Sequence, residues 1–216
     1  MRRPAVAGWP VPVTRFGGGE PVAGVRLLGV PVTAYTVINL AEHRRRAAAG
    51  MGAVTNPALL DRLLDLPAAV PVTDPVLWAE MADQPRGILE REQYGASITR
   101  RLESPLTIAD VVVQAASGRE LRAVQAASLF AGFTRRWVAA AHGRVPDATM
   151  LEAKLCGVGV VDPGYRVLLA AEKPGALTRD GWSWLLEEKA YGRWLSRQPA
   201  VRGTASPGPA IGGAKV

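Results

Sequence analysis

Cysteine is almost missing from this chain. The 216 residues include one, Cys156, and two histidines, His43 and His142. A disulfide scaffold is therefore excluded, and a Cys/His metal cage lacks ligands. Lysine is scarce too: of 26 basic residues, 4 are Lys and 22 are Arg. No run is long and apolar enough to span a bilayer. The longest uncharged one near the start, Leu27 to Ala41, is short and contains Pro31 and Asn39. No stretch of signal-peptide kind follows Met1-Arg2-Arg3-Pro4, because Pro10, Pro12 and Arg15 interrupt it. The expectation is a soluble, cytoplasmic protein without membrane contact, and a single cysteine fits a reducing compartment. GxxxxGK[ST], HExxH and GxSxG are all absent. Gly157-Val158-Gly159 does not extend to GxGxxG. No cofactor, metal site or catalytic residue is expected, and enzymatic activity is the less favoured expectation.

What is present supports a packed core. Hydrophobic residues make up 48% and charged residues 21%, which excludes global disorder. The length allows one domain with tails or two small ones. Net charge is +7, enough to attract polyanions at low salt. The Arg, Ala, Gly, Val and Pro excess also matches a GC-rich coding sequence, so the charge alone does not name a partner.

Residues 1–24, with four prolines and Gly17-Gly18-Gly19, read as an irregular arm. Val25 to Val32 predicts one short strand. Helical spacing then predicts 33–49 capped by Thr33, 57–66 behind Asn56-Pro57, 75–81 behind Asp74-Pro75, 87–102 with a charged face, and 105–116 behind Ser104-Pro105. A long pattern from Arg119 to Ala141 reads as core-facing helix that Gly132 can divide. The cluster His43-Arg44-Arg45-Arg46 falls near a predicted helix C-terminus, where cations favour the dipole; an anion site is the alternative. Asp147 predicts the cap of a helix toward Leu155. A hairpin follows over 158–169, around Asp162-Pro163-Gly164. A last helix, capped by Thr178 or Asp180, carries Trp182, Trp184, Tyr191 and Trp194. Residues 198–216 read as a disordered tail. The expected fold is α+β and mostly helical, with a helical region 25–103 and a second region 104–197.

From Thr134 to Leu195 three short signals occur in order. A helix-like stretch with Arg135, Arg136 and Trp137 ends at His142-Gly143. A short helix with Thr149, Met150, Leu151, Lys154 and Leu155 leads into Cys156-Gly157-Val158-Gly159-Val160-Val161. The hairpin then precedes Leu177-Thr178-Arg179-Asp180-Gly181. This segment resembles a winged helix-turn-helix domain of the general MarR or PadR kind. The resemblance implies a short helix in the major groove of double-stranded DNA and a hairpin across the neighbouring phosphates. By it, Thr149 and Lys154 face bases or phosphates, Arg166 sits in the wing, and Arg135, Arg136 and Arg144 flank the backbone.

Two other readings stand beside it. The strand Val167-Leu168-Leu169-Ala170-Ala171 is apolar for a DNA-facing wing, and Trp182, Trp184 and Trp194 cover more than one helix face. Together they suggest an assembly protein that binds a protein partner, or a second copy, through hairpin and Trp helix. Glu152-Ala153-Lys154 after Pro146-Asp147 fits the ExK tripeptide of PD-(D/E)xK nucleases, which would make Asp147, Glu152 and Lys154 a metal-dependent site. Non-enzymatic DNA binding is the first expectation, assembly the second and the nuclease the third.

Overall fold

The computed structural model describes residues 16, 18–81, 83–85, 87–92, 97–175 and 179–198. The elements run β1 (Glu20–Leu27), β2 (Val30–Ile38), α1 (Leu40–Ala48), α2 (Pro57–Leu64), β3 (Pro71–Thr73), α3 (Pro75–Glu80), β4 (Leu89–Glu92), β5 (Ser97–Arg100), β6 (Leu106–Gln114), α4 (Glu120–Ser128), β7 (Arg135–Ala139), α5 (Asp147–Leu155), β8 (Gly159–Val161), β9 (Val167–Leu169) and α6 (Gly181–Leu195). A six-stranded sheet has the order β1-β2-β6-β7-β8-β9, and a three-stranded sheet the order β3-β5-β4. In the large sheet β6, β7 and β8 run parallel, while β1, β2 and β9 pair antiparallel. Helices α4 and α5 are the two crossovers between the parallel strands. Among the described residues no helix is long and apolar enough to cross a membrane.

This corrects the mostly helical expectation. The fold is mixed α/β, with 32% of the described residues in helix and 28% in strand. Four predicted helices contain strands. The 33–49 stretch is split: Val30–Ile38 is β2, and the helix begins only after Asn39, whose side chain accepts from the Glu42 amide. The 87–102 stretch is the hairpin β4–β5. The 105–116 stretch is β6, and the 119–141 pattern breaks into α4 and β7. For β6 and β7 the physical cause is shared. Central strands covered on both faces are apolar at consecutive positions, so they also satisfy helical spacing. The run Val111-Val112-Val113 is β-branched, and that property favours the strand. The single strand expected over 25–32 is instead the meeting of β1 and β2 at a tight turn. Leu28 and Gly29 both take positive φ there, as a two-residue hairpin requires.

The winged-helix-like arrangement of the C-terminal half falls with the same correction. Its expected first helix is β7, its recognition helix α5 is a crossover, and its wing strand, expected over 165–172, contains β9, an edge strand of the large sheet. Asp147 occupies the first turn of α5 rather than its cap position, which is Pro146. Asp180, not Thr178, sits at the start of α6, in a reciprocal pair with Ser183; Thr178 lies outside the described residues. So do most of the arm and tail, although β1 begins inside the 1–24 segment.

One face of the large sheet packs against α4, α5 and α6. Its core includes Val111, Val113, Val124, Phe130, Val138, Ala153, Val160, Leu186 and Tyr191. A second core joins α2, the small sheet, and Trp184 and Leu185 of α6. Between them lies a fully buried guanidinium, Arg46. Its Nε donates to Glu42 at 2.7 Å, and its two terminal nitrogens donate to both oxygens of Glu188, at 2.7 and 2.6 Å. The remaining hydrogens reach the carbonyls of Gly52 and Glu103. All five donors are used. Glu188 also accepts from the Val54 amide at 2.8 Å. The arginine cluster read from the sequence thus holds a buried ion network, and His43 beside it bonds Tyr191 of α6 at 2.9 Å.

Glu188→Ala takes the bidentate partner from the buried Arg46, leaves Glu42 as its one counter-charge, and strands the Val54 amide. Urea unfolding should show a loss of about 3–5 kcal/mol. Burial pushes the Glu42 carboxyl up, but hydrogen bonds from Arg45 and Arg46 outweigh it and hold its pKa below the ordinary value. A depressed acid contributes stability that is present above its unfolded pKa and lost as pH falls through the folded one. The melting temperature should therefore drop as pH is lowered below the ordinary carboxylate range. Glu42→Gln should flatten that drop.

Candidate functional site

The six residues expected to touch nucleic acid do not share a surface. Arg135 opens β7 on the sheet face away from the helices and pairs with the buried Asp110 at 2.8 Å. Arg136 points to the opposite face, is buried, and donates to the Cys156 carbonyl. Thr149 is buried in α5, and Lys154 is exposed in its last turn. Arg144 and Arg166 are exposed on loops that follow β7 and β8. Because parallel strands share a direction, those two lie at the end of the sheet opposite to Arg135 and Arg136.

That C-terminal end of the parallel strands gathers other polar groups. The loop after β6 supplies Ser117 and Arg119, the first turn of α4 supplies Arg122, and the loop after β7 supplies His142 and Arg144. The Ser117 hydroxyl and His142 Nε2 are 2.8 Å apart and join the two loops. Arg119, Arg122 and Arg144 are exposed and make no ion pair among the described residues; Arg166 pairs with Asp162 at 3.1 Å. Asp147 and Asp162 stand among them, so the cationic rim is interrupted by acids.

Apolar exposure is concentrated elsewhere. Leu151 and Leu155, one turn apart on the outer face of α5, are 60% and 75% exposed. Leu155 is the most exposed large apolar side chain among the described residues. On the neighbouring α4 and at its C-cap, Leu121 and Leu129 also face solvent. Helix α5 packs against β8, and next to β8 lies β9, an edge strand of the large sheet that carries the exposed Val167. Of the Trp-rich helix, Trp184 and Trp194 are core, and only Trp182 is exposed.

Asp147, Glu152 and Lys154 all lie on the single helix α5 rather than converging from neighbouring strands. Glu152 accepts from the Cys156 thiol. Among the described residues no group of three or more His, Cys, Asp or Glu is placed to hold a metal ion. Comparison of the chain with family models, with curated proteins and with solved structures finds no match.

Two features escaped the sequence reading. Asp110 has no role in the helical reading of 105–116, although a lone acid inside the run Ile108 to Val113 is a signal for a specific buried partner. Leu151 and Leu155 are read there only as members of a short helix, since an apolar pair at helical spacing carries no mark of the side that a crossover helix turns outward.

Proposed function

We propose that this protein is an assembly module that binds a protein partner through the outer face of α5, with α4 and the β9 edge beside it. The pair Leu151 and Leu155 carries the reading. Two leucines one turn apart and more than half exposed keep apolar area in water that a partner surface would remove. A short edge strand with apolar rather than charged side chains adds unpaired backbone groups to that side. Lys154, exposed between the two leucines, and the net charge of +7 favour a partner with acidic residues around an apolar centre. The Trp helix contributes little, because its rings are mostly committed to the cores.

A Leu151→Asp/Leu155→Asp variant should fold normally, since both side chains are exposed. Proteins retained by the immobilised wild-type chain from a native extract, and reconstituted with it from purified components, should be lost by this variant. Retention of every such protein by the variant would refute the α5 surface.

The rim of Arg119, Arg122, Arg144 and Arg166 favours a second reading, binding to the phosphates of double-stranded DNA. This reading needs no winged helix. It requires that a labelled random duplex bind at low salt, weaken steeply as salt rises, and be released by Arg119→Glu/Arg122→Glu/Arg144→Glu. With about three phosphates neutralised, the salt slope should fall by about 3 in that variant. Absence of binding even at low salt removes the DNA reading and leaves the protein-binding one untouched.

A further inference from the structure

The sheet face turned away from α4, α5 and α6 holds a separate group of rings. Tyr35, Asp110 and Arg135 are neighbours across β2, β6 and β7, and Val112, Trp137 and Gly159 form the next row toward β8. Phe16, from the chain before β1, sits over them. Its ring centroid is 4.8 Å from Tyr35, 5.3 Å from Trp137 and 6.0 Å from Tyr165, the last two edge to face. Tyr165 reaches back from the β8–β9 turn with a left-handed backbone, φ 60°.

The walls of this seat are set without Phe16. The Asp110 carboxylate is fully buried; one oxygen accepts from the Trp137 indole at 2.8 Å and the other from Arg135. Gly159 lets the indole lie flat on β8, because a Cβ there would stand 2.3 Å from the Trp137 ring. One polar group remains over. The Tyr35 hydroxyl is enclosed and has no hydrogen-bond partner among the described residues. Phe16 has nothing to offer it. A buried hydroxyl without a partner destabilises a core, and a phenylalanine would fill the same space without that cost.

We infer that this seat binds a planar aromatic group of a second molecule, a nitrogen heterocycle of nucleobase size, and that Phe16 fills it in cis. A heterocycle edge supplies the acceptor that Tyr35 lacks, while Trp137 and Tyr165 provide the edge-to-face contacts that Phe16 now makes. The seat lies on the opposite face from the α5 surface, so the inference stands apart from the assembly reading.

The test uses the full chain with Phe16→Ala, titrated with adenosine and, separately, with a short single-stranded oligo-dA, followed by tryptophan fluorescence and saturation-transfer NMR. Phe16→Ala should bind adenosine saturably. The wild-type chain should bind about tenfold more weakly, because its own ring competes for the seat. Adding Tyr35→Phe to Phe16→Ala should weaken binding by about fivefold, the loss of one hydrogen bond. In the otherwise wild-type chain the same substitution should leave the melting temperature unchanged or raise it. Equal affinity per base for adenosine and oligo-dA assigns the seat to free nucleosides or bases; tighter oligo-dA binding assigns it to unpaired bases in a strand. A folded Phe16→Ala chain that gives no saturable response to either probe up to about 10 mM overturns the inference. So does a response that Tyr35→Phe leaves unchanged. Phe16→Leu, which keeps most apolar contact, is the second variant; failure of both to fold shows that the ring is core, and equally overturns it.

Discussion

Arg46 is the constraint on which the two halves of this molecule depend. A charge that is fully removed from water is tolerated only when each of its hydrogens has an acceptor and opposite charge lies beside it. Here the acceptors come from α1, α6, the segment after α1 and the segment that leads into β6. These pieces are distant in sequence, separated by up to 142 positions. Each must be in place for the network to close, so the position of α6 across the large sheet and against α2 is fixed by one side chain. Hydrophobic burial supplies the driving force in both cores, but it is not directional. The bidentate geometry of Arg46 with Glu188 is directional, and it specifies which packing of the two cores is the native one.

The second organising feature is asymmetry of the sheet. With α4, α5 and α6 all on one face, that face is a thick core, and its outermost helix shows two leucines to solvent. Among the described residues the other face carries rings and one buried acid instead of helices. The two faces therefore differ in chemistry: exposed leucines on one side, a cluster of rings with an unsatisfied hydroxyl on the other. The polar rim with Ser117, His142 and the arginines lies between them at the C-terminal ends of the parallel strands, where α/β sheets commonly expose functional loops.

Legibility from the sequence followed the strength of local chemistry. Asn56-Pro57 and Asp74-Pro75 announced α2 and α3, since an acceptor side chain followed by proline satisfies free amides and presets φ. Asp180 announced α6, and the Asp162-Pro163-Gly164 turn announced the reversal between β8 and β9. What misled was the central strands. Ile108, Val111, Val112 and Ala115 are spaced as a helix face would be, yet Val112 serves one side of a sheet and Val111 the other. A strand that is buried on both faces has no period to read. The same ambiguity puts Arg135, Arg136 and Trp137 in a helix-like stretch, from which the resemblance has both arginines flank a DNA backbone. In the sheet, Arg135 and Arg136 point in opposite directions.

Sequence alone determined the composition of this protein, the absence of a cysteine scaffold, the capped helix starts, the tight turns and the basic charge. Each of these is local, settled by the conformational preferences of a residue and its near neighbours or by simple counting. Tertiary structure decided which apolar runs became strands, because a parallel strand is made only by the neighbours that pair with it. It also decided that Arg46 would be buried while Leu155 would not, and that Tyr35, Asp110 and Trp137, drawn from three strands, would meet under Phe16. Those outcomes depend on contacts between residues far apart in the chain, and no window of sequence contains both partners.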